Sequence, residues 1–119
     1  MYLTQVLDDV NRAALIDLFG VSVVYDVEAA LSEKDGKPYV RCLVREKNVQ
    51  AKREELVRQL WLHRLVTEYR YPVRRLGVEY PITFGRDTSK RADIVVFDPD
   101  SPTTPYLIVE VKQGKLKGT

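Results

Sequence analysis

Two short apolar runs near the end of the chain constrain it most. Ala92-Asp93-Ile94-Val95-Val96-Phe97 and Tyr106-Leu107-Ile108-Val109-Glu110-Val111-Lys112 are rich in β-branched residues and too short for ordinary helices. Each predicts a buried strand. Each also carries one carboxylate inside an otherwise apolar stretch. A carboxylate withdrawn from water is costly unless something pairs with it. Alternation along a strand puts Glu110 and Lys112 on one side. If the two strands are neighbours, Asp93 and Glu110 turn into one pocket with Lys112 beside them.

Two carboxylates at close range repel, and a divalent cation reverses that repulsion. An all-oxygen set suits Mg²⁺ or Mn²⁺ rather than zinc. The chain has one cysteine, Cys42, and one histidine, His63. An internal disulfide and a cysteine-rich zinc site are therefore excluded, and a Ser-His-Asp triad has little room. A bound Mg²⁺ or Mn²⁺ lowers the pKa of a water and offsets charge on a phosphoryl oxygen. Lys112 suits orienting or deprotonating that water, or neutralising transition-state charge. The pattern points to metal-assisted phosphodiester hydrolysis. The same residues also suit a plainer arrangement, with Asp93 paired to Arg91 and Glu110 to Lys112 at a strand end.

With 119 residues, 45% hydrophobic and 30% charged, the chain has the composition of one soluble globular domain, and its mix of helices and strands makes an α/β fold the expectation. No apolar run is long enough for a transmembrane helix, and the start lacks the pattern of a signal peptide. A reducing cytoplasm is the expected location. Spacing predicts a helix over 4–19, capped by Thr4 and ended by Gly20. Residues 21–29 (VSVVYDVEA) read as a strand from their β-branched content. With the alternating run 39–45 they predict a β-hairpin whose longer loop holds Asp35-Gly36, a turn pair. Residues 50–69 form the clearest helix, stopped by Pro72. A further strand is expected over 76–84, a basic hairpin loop over 85–91, and a Pro- and Asp-rich loop over 98–105.

In the helix at 50–69, Glu55 shares a face with Leu62 and Val66, which turns it inward, where a carboxylate needs a partner. Glu55 is the favoured further acid of the site, and Glu54 is its substitute. Arg58 and Gln59, one turn on, suit contact with phosphate or the orientation of Glu55. His63 reads as a surface helix residue and Cys42 as a small buried hydrophobe.

Net charge is +2, but it is unevenly spread: residues 1–40 balance at −4, residues 41–75 at +6 and the rest at zero. A basic middle section suits a nucleic-acid backbone. Arg58, Gln59, Lys90, Arg91 and other basic residues such as Arg45 are candidates for that contact, which carries little sequence specificity. A plain solvated helix face would show the same charge.

The ordered set Arg45-Glu46-Lys47, Arg53-Glu54-Glu55-Leu56-Val57-Arg58-Gln59, Tyr71-Pro72, Val78-Glu79, Lys90-Arg91-Ala92-Asp93-Ile94-Val95-Val96 and Tyr106 to Lys112 resembles the N-terminal nuclease domain of type I restriction enzyme R subunits. That family belongs to the PD-(D/E)xK nucleases, and the resemblance spans roughly residues 43–113. It implies a restriction-endonuclease-like mixed sheet flanked by helices: a helix, a three-strand meander, then a further helix and strand. The sequence here stops seven residues after Lys112, so the last two elements are expected to be missing or completed by a partner chain. The resemblance makes Asp93 the metal-binding Asp, Glu110 and Lys112 the (D/E)xK pair, and Glu55 or Glu54 the helix acid. Glu79 falls where the family often has an acid in its first core strand, as a secondary ligand or a structural residue. Arg53 departs from the family, which usually has Pro there.

The implied activity is Mg²⁺- or Mn²⁺-dependent DNA endonuclease chemistry. The metal would rest on Asp93, Glu110 and the carbonyl of Val111. DNA and other restriction-modification subunits are the implied partners. The chain lacks a Gly-x-x-x-x-Gly-Lys-Ser/Thr run, so ATP-driven translocation is not expected in it. Residues 1–45 would form an N-terminal helix-and-hairpin extension and 46–119 the nuclease-like core of one compact domain. The extension suits a sheet edge or a homodimer contact. The alternative is a non-catalytic nucleic-acid-binding or assembly module that keeps the nuclease fold.

Overall fold

A computed structural model describes residues 1–111. Over these residues the chain is a mixed α/β fold with three α-helices and six strands. Expected helix 4–19 is interrupted. A single 3₁₀ turn covers Leu3–Gln5, and α1 begins only at Arg12 and runs to Phe19. Asn11 starts it, its side chain accepting the Ala14 amide at 2.8 Å, and so takes the capping role assigned to Thr4. Gly20 ends it as expected, at φ +92°.

The segment read as a strand is a helix, α2, from Val21 to Ala29. Val23, Val24 and Val27 are buried there with Leu15 and Phe19 of α1. A β-branched residue loses only about 0.5 kcal/mol in a helix. Burying a valine is worth about 1.5 kcal/mol or more, so packing overrides local preference. The partner of the next strand is therefore not 21–29. Strands β1 (Leu31–Lys34) and β2 (Lys37–Arg41) pair instead, Leu31 opposite Val40 and Lys34 opposite Lys37. The loop between them is only Asp35-Gly36, both at positive φ, the tight turn that suits strand twist. Strand β3 (Asn48–Gln50) completes the first sheet, order β1-β2-β3.

The strand expected over 39–45 stops at Arg41. Residues 42–47 fold back as a turn, the Cys42 amide donating to the Lys47 carbonyl and the Glu46 amide to the Cys42 carbonyl. Arg45 therefore sits on a loop facing the next helix. That helix, α3 (Arg53–Thr67), is shorter than the predicted 50–69 by a few residues at each end. Glu54 and Glu55 lie in its first turn and Arg64 in its last, an arrangement the helix dipole favours.

The second sheet is a meander of β4 (Leu76–Phe84), β5 (Asp87–Asp98) and β6 (Ser101–Val109). Both expected loops shrink to tight turns. Gly85 at φ +60° and Arg86 join β4 to β5. Pro99-Asp100 join β5 to β6, with the Asp98 side chain accepting the Asp100 amide at 2.8 Å. Pro102 and Pro105 lie inside β6, which is tolerable because β6 is an edge strand of the described sheet. Every strand pair described is antiparallel, so the parallel pairing of a mixed sheet is not among these residues.

Helix α3 lies between two apolar clusters. Leu56 and Leu60 join Leu3, Leu7, Leu15, Val24, Val27 and Val40. Leu62 and Leu65 join Cys42, Leu76, Ile94 and Val96. Cys42 is buried, as expected for a small hydrophobe. His63 is half-buried rather than on the open surface.

Candidate active site

The first turns of α3, the 42–47 loop and the meander converge on one group of charges. Glu55 turns inward as its helical spacing predicts, and three donors hold it. Arg45 Nη1 donates to Oε1 at 3.0 Å, Arg58 Nη1 donates to Oε1 at 2.9 Å, and Gln59 Nε2 donates to Oε2 at 3.0 Å. Gln59 is fully buried, and its Oε1 accepts the Leu43 amide at 3.0 Å. Of the two roles the sequence allows Gln59, orienting Glu55 is the one its geometry serves. Arg58 is 3% exposed. Its Nη2 lies 3.6 Å from Glu79 and 3.6 Å from Asp93, and its buried Nε has no hydrogen-bond partner.

Antiparallel register brings the strand acids to the same place. Val78 pairs with Ile94 and Tyr80 with Ala92, which sets Glu79 level with Asp93. Ile94 pairs with Val109, so the next position along sets Asp93 level with Glu110. Asp93 does not turn to Arg91. Its Oδ2 accepts the Val111 amide at 2.7 Å, which latches the chain just past β6 to the middle of β5. The Asp93 and Glu110 side chains are close enough to interact. Partial desolvation, the charge of Asp93 and a hydrogen bond with Asp93 hold the Glu110 carboxyl above the ordinary range, and Lys90 pulls it back. Strand register thus sets side by side the two carboxylates that interrupt the apolar runs.

Glu79 takes φ +49° in the middle of a strand. That region is unfavourable for a residue with a side chain by about 1–2 kcal/mol, and such outliers gather at functional sites. Its carboxylate reaches Arg45 Nη2 at 3.3 Å as well as Arg58. Glu79, Glu55, Glu54, Arg58, Lys52 and Gln50 line an open cleft of about 290 Å³. Glu54 is thus on the cleft wall, beside Glu55 rather than in its place.

Lys90 and Arg91 are exposed on β5. Lys112 lies outside the described residues. Arg45 is the residue whose place sequence reasoning missed. Its charge alone suits backbone contact, but it clamps Glu55 and Glu79. Burial opposes its charge, and the Glu55 hydrogen bond with the charges around it more than offsets that, raising its pKa. Its loop position carries no periodicity, so only the nearness of an inward Glu55 could have signalled the pairing.

Chemically, the group is a set of hard oxygen donors with guanidinium counter-charges. Asp93, Glu110 and the Val111 carbonyl are oxygen donors of the type Mg²⁺ and Mn²⁺ take. Two interacting carboxylates there fit a cation between them. Among the described residues no group of three or more His, Cys, Asp or Glu side chains is already gathered as a ready-made metal cage.

A family model for the type I restriction enzyme R protein N terminus matches residues 53–119. No curated protein and no solved structure matches the chain.

Proposed function

The chain belongs to the family of type I restriction enzyme R protein N termini, and from that premise we propose that it is an endonuclease domain hydrolysing DNA phosphodiester bonds with Mg²⁺ or Mn²⁺. The observation that carries this reading is the meeting of Asp93 and Glu110 across paired strands, beside Glu55 and Glu79. Asp93, Glu110 and the Val111 carbonyl would hold the cation. When bound, it would polarise a phosphoryl oxygen and acidify a water. Asp93 is aimed by the Val111 amide, which leaves its other oxygen, Oδ1, 3.6 Å from Arg58 Nη2. Glu110 stands at the exposed rim, where substrate would approach. Glu55, fixed by three donors, sets the position of Arg58 and so the charge around Asp93. Lys112, two residues beyond Glu110, would serve the attacking water or the transition-state charge. Lys90 and Arg91, both exposed on β5, would meet a phosphate backbone.

The family places the chain in the context of a restriction-modification complex. No helix among the described residues is long and apolar enough to cross a membrane, and a cytoplasmic site of action fits a single buried thiol. The exposed Tyr106, Leu107 and Ile108 on edge strand β6 support a contact with another subunit or a second copy of the chain. Sedimentation would measure the latter.

Supercoiled plasmid with Mg²⁺ or Mn²⁺ tests the activity. The unchanged protein should nick or linearise it, and Asp93→Ala should lose about a hundredfold or more. Equal cleavage by both, or none by either, overturns the proposal. One observation favours the non-catalytic alternative: Glu55 is already fully engaged by Arg45, Arg58 and Gln59, as in a buried structural network. On that reading DNA or a subunit binds without cleavage, and the same assay separates the two.

A further inference from the structure

The Arg58 guanidinium is the hub of the charge group. Glu55, Glu79, Asp93 and Glu110 are linked through contacts with one another or with Arg45 and Arg58. Four carboxylates stand against two guanidiniums and the Lys90 ammonium that acts on Glu110, which leaves this group short of one positive charge. The contacts of Arg58 are unequal. Nη1 makes a hydrogen bond to Glu55 at 2.9 Å. Nη2 stands 3.6 Å from both Asp93 and Glu79, too far for a proper hydrogen bond. Its Nε is buried and unpartnered beside the same group, which is an expensive state for a donor. The guanidinium is thus firmly anchored at one nitrogen and loosely shared at the other.

We infer that Arg58 is an internal stand-in for the divalent cation: its Nη2 shields Asp93 until a cation takes that carboxylate, and its Nη1 stays on Glu55. This inference rests on the metal-dependent reading above and adds to it. A cation at Asp93 must displace or tolerate a positive group only a few ångströms away, so Arg58 weakens cation binding. In return it keeps Asp93, Glu79 and Glu55 from repelling one another when no cation is present. Arg58 acts as a positioning residue, through the carboxylates rather than on substrate.

Mn²⁺ binding to the full 119-residue chain, followed by electron paramagnetic resonance of the free ion, tests this without any turnover. Arg58→Met should bind Mn²⁺ at least about tenfold more tightly than the unchanged protein, since a like charge near the ligand is removed. Arg58→Lys, which keeps the charge, should stay within about threefold. Arg45→Met removes the same formal charge but touches Glu55 and Glu79 rather than Asp93, so it should tighten binding far less. Adding Asp93→Ala to Arg58→Met should abolish the gain. Equal tightening by Arg45→Met would make the effect one of net charge and overturn the inference. Unchanged or weaker binding by Arg58→Met would overturn it too, with the metal reading intact if Asp93→Ala still loses the ion. No binding by the unchanged protein would remove both. Should Arg58→Met unfold, Arg58→Gln, which keeps a donor for Glu55, carries the same expectation.

Discussion

At the scale of single residues, two backbone positions limit the meander. Gly77 lies on β4 against the ring of Phe97: a Cβ placed there would stand 2.9 Å from Cε2 and 3.2 Å from Cζ. That ring is also packed edge-on to Tyr80 at 5.0 Å and cannot retreat freely. Gly77→Ala should therefore destabilise by about 1–3 kcal/mol, read as a lower denaturant midpoint with an unchanged slope. Glu79 is the opposite case. Its left-handed backbone stores about 1 kcal/mol, while its half-exposed ion pairs return only about 0.5 kcal/mol. Glu79→Gly should leave stability equal or slightly higher in equilibrium unfolding, while plasmid cleavage falls. A loss of more than about 1 kcal/mol would instead show that the pairs to Arg45 and Arg58 hold the site together. Neither constraint was legible from the sequence, because the ring over Gly77 and the left-handed φ of Glu79 both follow from how neighbouring strands meet and not from residue type.

At the scale of elements, α3 is where the sequence spoke most clearly and where its silence is also instructive. The inward turn of Glu55 followed from seven- and eleven-residue spacing. The meeting of Asp93 with Glu110 followed from two adjacent strands, and the structure brings these acids together. What failed was the identity of 21–29, where local β preference of valines lost to burial at helical spacing, and the loops at 85–91 and 98–105, where Gly85 and Asp98 close turns of two residues. The role of Gln59 was half legible: its place one turn after Glu55 suggested orientation, but its grip on the Leu43 amide could not be seen. Gln59→Leu should orphan that amide and one Glu55 oxygen together, costing about 2–3 kcal/mol, measurable by chemical unfolding. Helix α3 also carries His63, whose burial lowers its pKa, with Asp26 of α2 acting against the shift. The unfolded chain then binds a proton at higher pH than the folded one. Stability from this group is full above about 6.5 and falls as pH drops below it. His63→Gln should flatten the difference in melting temperature between pH 7.5 and 5.5 relative to the unchanged chain. An identical slope in both would show that His63 is solvated.

At the scale of the whole molecule, the family match begins at residue 53, yet the helix that opens it is not a self-sufficient element. Leu56 and Leu60 are completely buried, and they pack against Leu3, Leu7, Leu15, Val24 and Val27 from residues that precede the match. Phe19 of α1 stacks edge-on with Trp61 at 5.5 Å, and Arg64 donates to the Leu18 carbonyl at 3.2 Å. Arg45, which clamps two site carboxylates, also precedes the match. A chain cut to residues 53–119 would expose the Leu56 and Leu60 side of α3 to water, at about 1.5–3 kcal/mol for each leucine, against a total stability for a small domain of only about 5–15 kcal/mol. It would also leave Glu55 without Arg45. The shortened chain should therefore show neither the dispersed amide spectrum nor the cooperative thermal transition expected of residues 1–119, and it should bind no Mn²⁺ at concentrations that saturate the longer chain. In residues 1–119, Trp61 fluorescence and far-ultraviolet circular dichroism should lose signal at the same temperature, because α3 packs into both apolar clusters and so couples them. Two separated transitions, or a folded 53–119 fragment, would show that the N-terminal residues are an accessory and that the site is built by the meander alone.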